Sequence, residues 1–103
     1  MYKGGKRAGD GLFAVNALAN SLGFARLGMS VSTRTVGNAV RRNRVRRIIR
    51  EVFRERHAEL PPVDLVVTSR PGARDADRPA IVTSLERLIE RALPPAPAVA
   101  TPA

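Results

Sequence analysis

Apolar residues recur along the chain with two different periods, and the changes of period divide it into elements. In residues 12–18 (LFAVNAL), Phe13 and Val15 share one face while Leu12, Ala14 and Asn16 share the other, the alternation of a strand. Asn20 to Gly23 supply a turn signal. In residues 25–32 (ARLGMSVS), Leu27, Met29 and Val31 point to one side, with Arg26, Gly28, Ser30 and Ser32 opposite. The two runs predict an antiparallel pair joined by a short hairpin. Residues 33–37 read as a loop, and residues 1–11, rich in Gly and charge, as a loop or frayed end.

From about residue 39 to residue 56 the period becomes helical. At about 100° per residue, Val45, Ile48, Ile49, Val52 and Phe53 fall within one arc of roughly 140°. Asn43, Arg46, Arg47, Arg50 and Arg54 fall on the other side. Asn38 is placed to cap the first turn, because its side chain can accept from a free backbone N–H there. Pro61 and Pro62 end the helical run. Residues 64–69 (DLVVTS) form a short strand apolar enough to lie inside a sheet. Residues 70–79 read as a polar loop, and residues 81–93 as a second helix through Ile81, Leu85, Leu88, Ile89 and Ala92. The uncharged PPAPAVATPA of residues 94–103 cannot build a core and reads as a disordered tail, leaving one domain in residues 1–93.

Charge sharpens this outline. The net charge is +9, with 18 Lys and Arg against 9 Asp and Glu. Residues 1–57 hold 13 cations and 3 acids, while the remainder holds 5 and 6, so a single polyanion-binding region is expected. All the cations except Lys3 and Lys6 are arginine, which suits bidentate phosphate contacts and equally fits an Arg- and Ala-rich genome. Residues 41–51 alone carry six arginines and one glutamate. Repulsion among them would cost helix stability without an anionic partner, so the helix reads as RNA-binding rather than as a solvated basic face.

Other chemistry is excluded or weak. There is no cysteine for a disulfide or thiolate site, and one histidine cannot make a histidine-rich metal centre. Asp75 and Asp77 read as loop residues rather than metal ligands. His57 has no nearby nucleophile and suits a helix C-terminal cation or cap. Glu51 and Glu55 read as intrahelical charge partners. Of the aromatic residues, Phe13 and Phe53 are assigned to the core, and Tyr2 is the better candidate to stack on a base. No apolar run spans a membrane, and no signal-peptide core follows the basic start, so a cytoplasmic protein without a membrane partner is expected.

The sequence GNAVRRNRVRRIIRE, residues 37–51, resembles the bacterial ribonuclease P protein component at Gly37, Asn38, Ala39, Val40, Arg42, Asn43, Arg44, Arg46, Arg47, Arg50 and Glu51. Residues 26–32 (RLGMSVS) and 64–71 (DLVVTSRP) resemble its flanking strands. The resemblance, over about residues 2–93, implies an α/β (α+β) fold like domain 2 of ribosomal protein S5. There a small four-stranded sheet carries the arginine-rich helix in a left-handed βαβ crossover, against the usual hand, followed by a C-terminal helix. It implies a subunit of an endoribonuclease whose catalytic RNA, with Mg²⁺ held mainly by that RNA, removes the 5′ leader from precursor tRNA. No catalytic side chain is expected on the protein.

By position, Arg41, Arg42, Asn43, Arg44, Arg46, Arg47 and Arg50 would face the RNA. Leu12, Ala14, Asn16, Ser30 and Arg34 would line the leader cleft, with Tyr2 at its edge. The family's basic N-terminal helix is expected to be largely missing here. The segment before Gly37 is about one residue longer than usual, with Thr33 where lysine is common. The rival readings are a generic structural RNA-binding protein, such as a ribosomal protein, and a membrane-surface helix.

Overall fold

A computed structural model describes residues 6–93, so Tyr2 and the tail from residue 94 lie outside the described residues. Four strands, β1 (Lys6–Gly9), β2 (Phe13–Ala19), β3 (Arg26–Ser30) and β4 (Val63–Ser69), form one mixed sheet in the order β1-β2-β4-β3. Three helices accompany them: α1 (Thr33–Val36), α2 (Ala39–Arg56) and α3 (Arg78–Ala92). The alternation along β2 and β4 turns Phe13, Val15, Ala17, Val63, Leu65 and Val67 to one side. There they meet Val45, Ile48, Ile49 and Val52 of α2, and Ile81, Leu85, Leu88 and Ile89 of α3, in one buried cluster. The opposite sheet face carries no helix among the described residues.

The expected hairpin between the second and third strands does not form. β4 lies between them, antiparallel to β2 with Val15 opposite Val67, and parallel to β3 with Met29 opposite Val67. Adjacent runs with a turn between them suggest a hairpin, but residues 20–25 instead carry the chain across the end of β4. Asn20 holds that passage. Its amide donates to the Asp64 carboxylate at 2.9 Å and to the Phe24 carbonyl at 3.2 Å, and its side-chain oxygen accepts from the Leu22 N–H at 2.9 Å. β4 is thus interior, as its apolar composition predicts, and β3–α2–β4 is a crossover between parallel neighbours.

Two segments read as loops are regular. Lys6–Gly9 is a strand although only Ala8 is buried, because it pairs along β2 with Arg7 opposite Asn16. Thr33–Val36 is a single helical turn capped by Ser32, whose hydroxyl accepts from the Thr35 N–H at 3.1 Å, and closed by Gly37 at φ +105°. The last helix begins three residues before Ile81. Asp77 caps it, accepting from Ala80 N–H at 3.0 Å, and Pro79 sits where its missing N–H is not needed.

Candidate nucleic-acid interface

The chemistry of α2 follows from where its core contacts stop. Asn38 caps the helix, its Oδ1 accepting from the Arg41 N–H at 3.0 Å. Val45, Ile48, Ile49 and Val52 are buried against the sheet and α3. Burying each such side chain contributes about 1.5–3 kcal/mol. A like-charged pair one turn apart costs only about 0.2–0.5 kcal/mol. The core face therefore holds the helix together despite its arginines.

The seven residues predicted to face RNA do not form one face. Asn43, Arg47 and Arg50 are exposed and recur with Arg54 at spacings of four, three and four residues. At helical pitch they lie within about 60° of arc, forming a straight stripe about 16 Å long on the side turned from the core. Arg46 is half-buried at its flank.

Arg41, Arg42 and Arg44 form a second group at the helix start. Arg44 is half-buried and donates from Nη1 to the Ala76 carbonyl at 3.4 Å, tying α2 to the loop before α3. Arg42 is also half-buried, and its Nε has no partner among the described residues. Arg41 is exposed and lies against Gly37, where Arg74 also approaches. Arg74 was not legible as a site residue, because it stands in a loop with no periodic neighbour. The fold brings it to the start of α2, where the unpaired N–H groups of the first turn add to the positive potential.

The expected leader-cleft residues divide similarly. Register puts Asn16 beside Arg7 on β1 and Val66 on β4, and Ala14 beside Thr68, whose other neighbour is Ser30. Asn16 is half-buried, Ser30 exposed and Ala14 only 2 % exposed, so Ala14 offers little more than a flat floor. Leu12 precedes β2 and packs partly against the buried cluster. Arg34 is exposed on α1, off the sheet.

A shallow hollow of about 390 Å³ on the open face is lined by Lys6, Arg7, Asn16, Ala17, Leu18, Asp64 and Val66. Lys6 and Arg7 escaped the sequence reading because the strand that carries them did. At one end of this face Arg26 grips Asp64 through two bonds, Nε to Oδ1 at 2.9 Å and Nη2 to Oδ2 at 2.8 Å. Hydrogen bonding from Arg26, then from Asn20, holds the Asp64 carboxyl down to about 2. The cationic part of the face is thereby confined to its β1 side.

The remaining polar groups serve the fold. Asp10 accepts from Ser84 Oγ at 2.7 Å, Arg87 Nη2 at 3.0 Å and the N–H groups of Leu12 and Phe13. Burial pushes its pKa up, but these bonds outweigh burial and leave it lowered. Glu51 pairs with Arg78 on α3 instead of with its own helix, and Arg56 reaches Glu90. Asp77 is occupied as a cap, and no cluster of three His, Asp or Glu able to hold a metal occurs among the described residues.

Comparison with known proteins identifies the relatives of this chain and fold. The family model described as Ribonuclease P matches residues 1–93. The ribonuclease P protein component of Klebsiella pneumoniae is 40% identical over 91 residues, covering 88% of this chain and 76% of that protein. That of Escherichia coli K12 is 38% identical with the same coverage. The RNase P protein of Staphylococcus aureus superposes with a TM-score of 0.79 at 34% identity, covering 84% of this chain and 80% of that one. The protein of Thermotoga maritima gives 0.74 at 30% identity, covering 84% and 83%.

Proposed function

Since the chain belongs to the ribonuclease P protein family, and so is the protein component of a tRNA-processing endoribonuclease, we propose that it lays α2 on the catalytic RNA subunit while its open sheet face receives the 5′ leader of precursor tRNA. The observation that carries this reading is the split of α2 into a buried apolar side and an exposed stripe of Asn43, Arg47, Arg50 and Arg54. Guanidinium forks pair with phosphate through parallel hydrogen bonds, and each contact releases counterions. A rigid, core-anchored helix holds those forks in register with a phosphate backbone. Arg41, Arg42, Arg44 and Arg74 supply a second positive centre at its start.

The open face suits a single strand. Ala14 and Gly28 leave it low in relief, and Asn16, Ser30 and Thr68 can hydrogen-bond a sugar-phosphate chain, with Arg7 beside Asn16 on the same face and Lys6 lining the adjoining hollow from the edge strand. Arg34 and Leu12 stand at its margin. Mg²⁺ is assigned to the RNA in this reading, while Glu51, Asp64 and Asp77 serve the protein's own ion pairs and helix cap. The protein's part is then to neutralise phosphate repulsion so that RNA and substrate meet at lower Mg²⁺ concentration. The cytoplasm is the compartment we assign to it.

Reconstitution tests this. Protein alone should leave precursor tRNA intact, and addition to the cognate RNA subunit should restore cleavage at low Mg²⁺. Equal affinity of the assembled complex for precursor and mature tRNA would instead mark a structural RNA-binding protein without leader selectivity.

A further inference from the structure

Where α2 runs past the edge of the sheet, a groove of about 480 Å³ opens between it and β3, lined by Leu27, Arg50, Phe53, Arg54, His57 and Ala58. Its volume lies within the range of about 300–1,000 Å³ usual for small-ligand sites. Leu27, Phe53 and Ala58 make it apolar, and Phe53 meets the His57 ring edge-on at 5.3 Å between centroids. The imidazole is fixed in turn. Its Nε2 lies 3.2 Å from the Ala25 carbonyl, which can only accept, so that nitrogen carries a proton and the ring bridges the end of α2 to the start of β3.

The charges at this groove have one sign. Arg50 and Arg54 are exposed and join none of the ion pairs found among the described residues. Glu51 is turned toward α3, where Arg78 holds it. The occupant must therefore be anionic at one end and flat and apolar at the other. β3 is an edge strand, and its unpaired row of backbone N–H and C=O groups lies close to the opening.

The two arginines also continue the stripe of Asn43 and Arg47. A polynucleotide following that stripe is led into the groove at its end. We propose that this groove is a nucleotide slot, holding one unpaired nucleotide of the bound RNA with its phosphate on Arg50 and Arg54 and its base against Phe53, His57 and Leu27. The inference rests on the reading of α2 as the RNA-facing helix, and it extends the RNA footprint beyond residues 41–51 to His57 and to β3. Stacking on an aromatic floor tolerates any base, so the slot selects for an unpaired nucleotide rather than for a sequence.

The test is an NMR titration of the full chain, at constant ionic strength, with adenosine 5′-monophosphate and, separately, inorganic phosphate. The nucleotide should shift the Leu27, Phe53, His57 and Ala58 signals saturably through its ring current. Phosphate should move only those near Arg50 and Arg54. The R54Q variant should weaken nucleotide binding at least threefold with its spectrum otherwise retained, and H57Q, whose amide can keep the Ala25 bond, should reduce the base-dependent shifts. Identical patterns for phosphate and nucleotide would overturn the slot, as would an acidic hexapeptide filling the groove where the nucleotide does not. Binding of the ribonuclease P RNA is measured in parallel. Its loss of dependence on Arg47 would sink the underlying reading of α2, whereas retained dependence with an empty groove would sink only the slot.

Discussion

Arg78 at the first turn of α3 donates from Nη2 to Glu51 Oε1 of α2 at 2.6 Å. The bond joins two helices that share the buried cluster. It also removes a carboxylate from the neighbourhood of the arginine stripe, since Glu51 is turned toward α3. The glutamate of the arginine-rich sequence therefore acts in the protein's own tertiary structure.

Replacing Glu51 with Gln should lower stability by no more than about 1 kcal/mol, because both side chains are partly exposed and the pair is screened. Arg78→Met should cost a similar amount, and the double variant less than the sum of the two. Urea denaturation of the three variants measures the coupling. A coupling of zero would mean that the Glu51–Arg78 pair contributes nothing, leaving the helices joined by their apolar contacts and the Arg56–Glu90 pair.

Asn38 separates capping from RNA contact. Asn38→Ala removes the acceptor for the Arg41 N–H and should cost about 1 kcal/mol. Asn38→Asp keeps the acceptor and places a negative charge at the positive end of α2, so stability should be held or slightly raised. The same carboxylate sits among Arg41, Arg42 and Arg74, and affinity for the RNA subunit should fall several-fold. Thermal melts and filter binding on the two variants would give opposite rankings.

The most legible part of the chain was α2, because its apolar period, its cap and its polar side all lie within one local stretch. Asn38 and the buried set Val45, Ile48, Ile49 and Val52 stand where the pattern puts them. Sheet order was not legible. Pairing is non-local, and the sequence does not record that β4, some forty residues on, separates β2 from β3. β1 was missed because backbone pairing rather than apolar alternation makes it a strand. The same limit applies to the site. Arg44 looks like any other arginine of the run until the loop carrying Ala76 folds against it, and Arg74 and Leu27 reach α2 only through tertiary structure.

Asp64 carries a testable acid sensitivity. Its carboxyl is held down to about 2, below the ordinary value of 3.8, mainly by the hydrogen bond from Arg26. A lowered native pKa means that the stabilisation is complete above about 3.8 and is lost as pH falls through about 2. Asp10, lowered too, acts in the same direction. Stability measured against pH should decline through this window, and Asp64→Asn should flatten the decline. A profile unchanged by that substitution would show that Arg26 and Asp64 do not pair in solution.

Arg47 and Arg44 should behave differently although both lie in the arginine-rich run. Arg47 is exposed and joins none of the side-chain hydrogen bonds or ion pairs found among the described residues, so Arg47→Gln should leave the melting temperature within about 2–4 °C. It should weaken binding to the RNA subunit and reduce by about one the slope of log affinity against log salt concentration, the signature of one lost phosphate contact. Arg44 is half-buried and bonded to the Ala76 carbonyl. Arg44→Gln should therefore lower stability, by about 1 kcal/mol, as well as affinity. If both variants changed affinity by the same factor at every salt concentration with no change in slope, the stripe would not be contacting phosphate, and the assignment of α2 to the RNA backbone would fall with it.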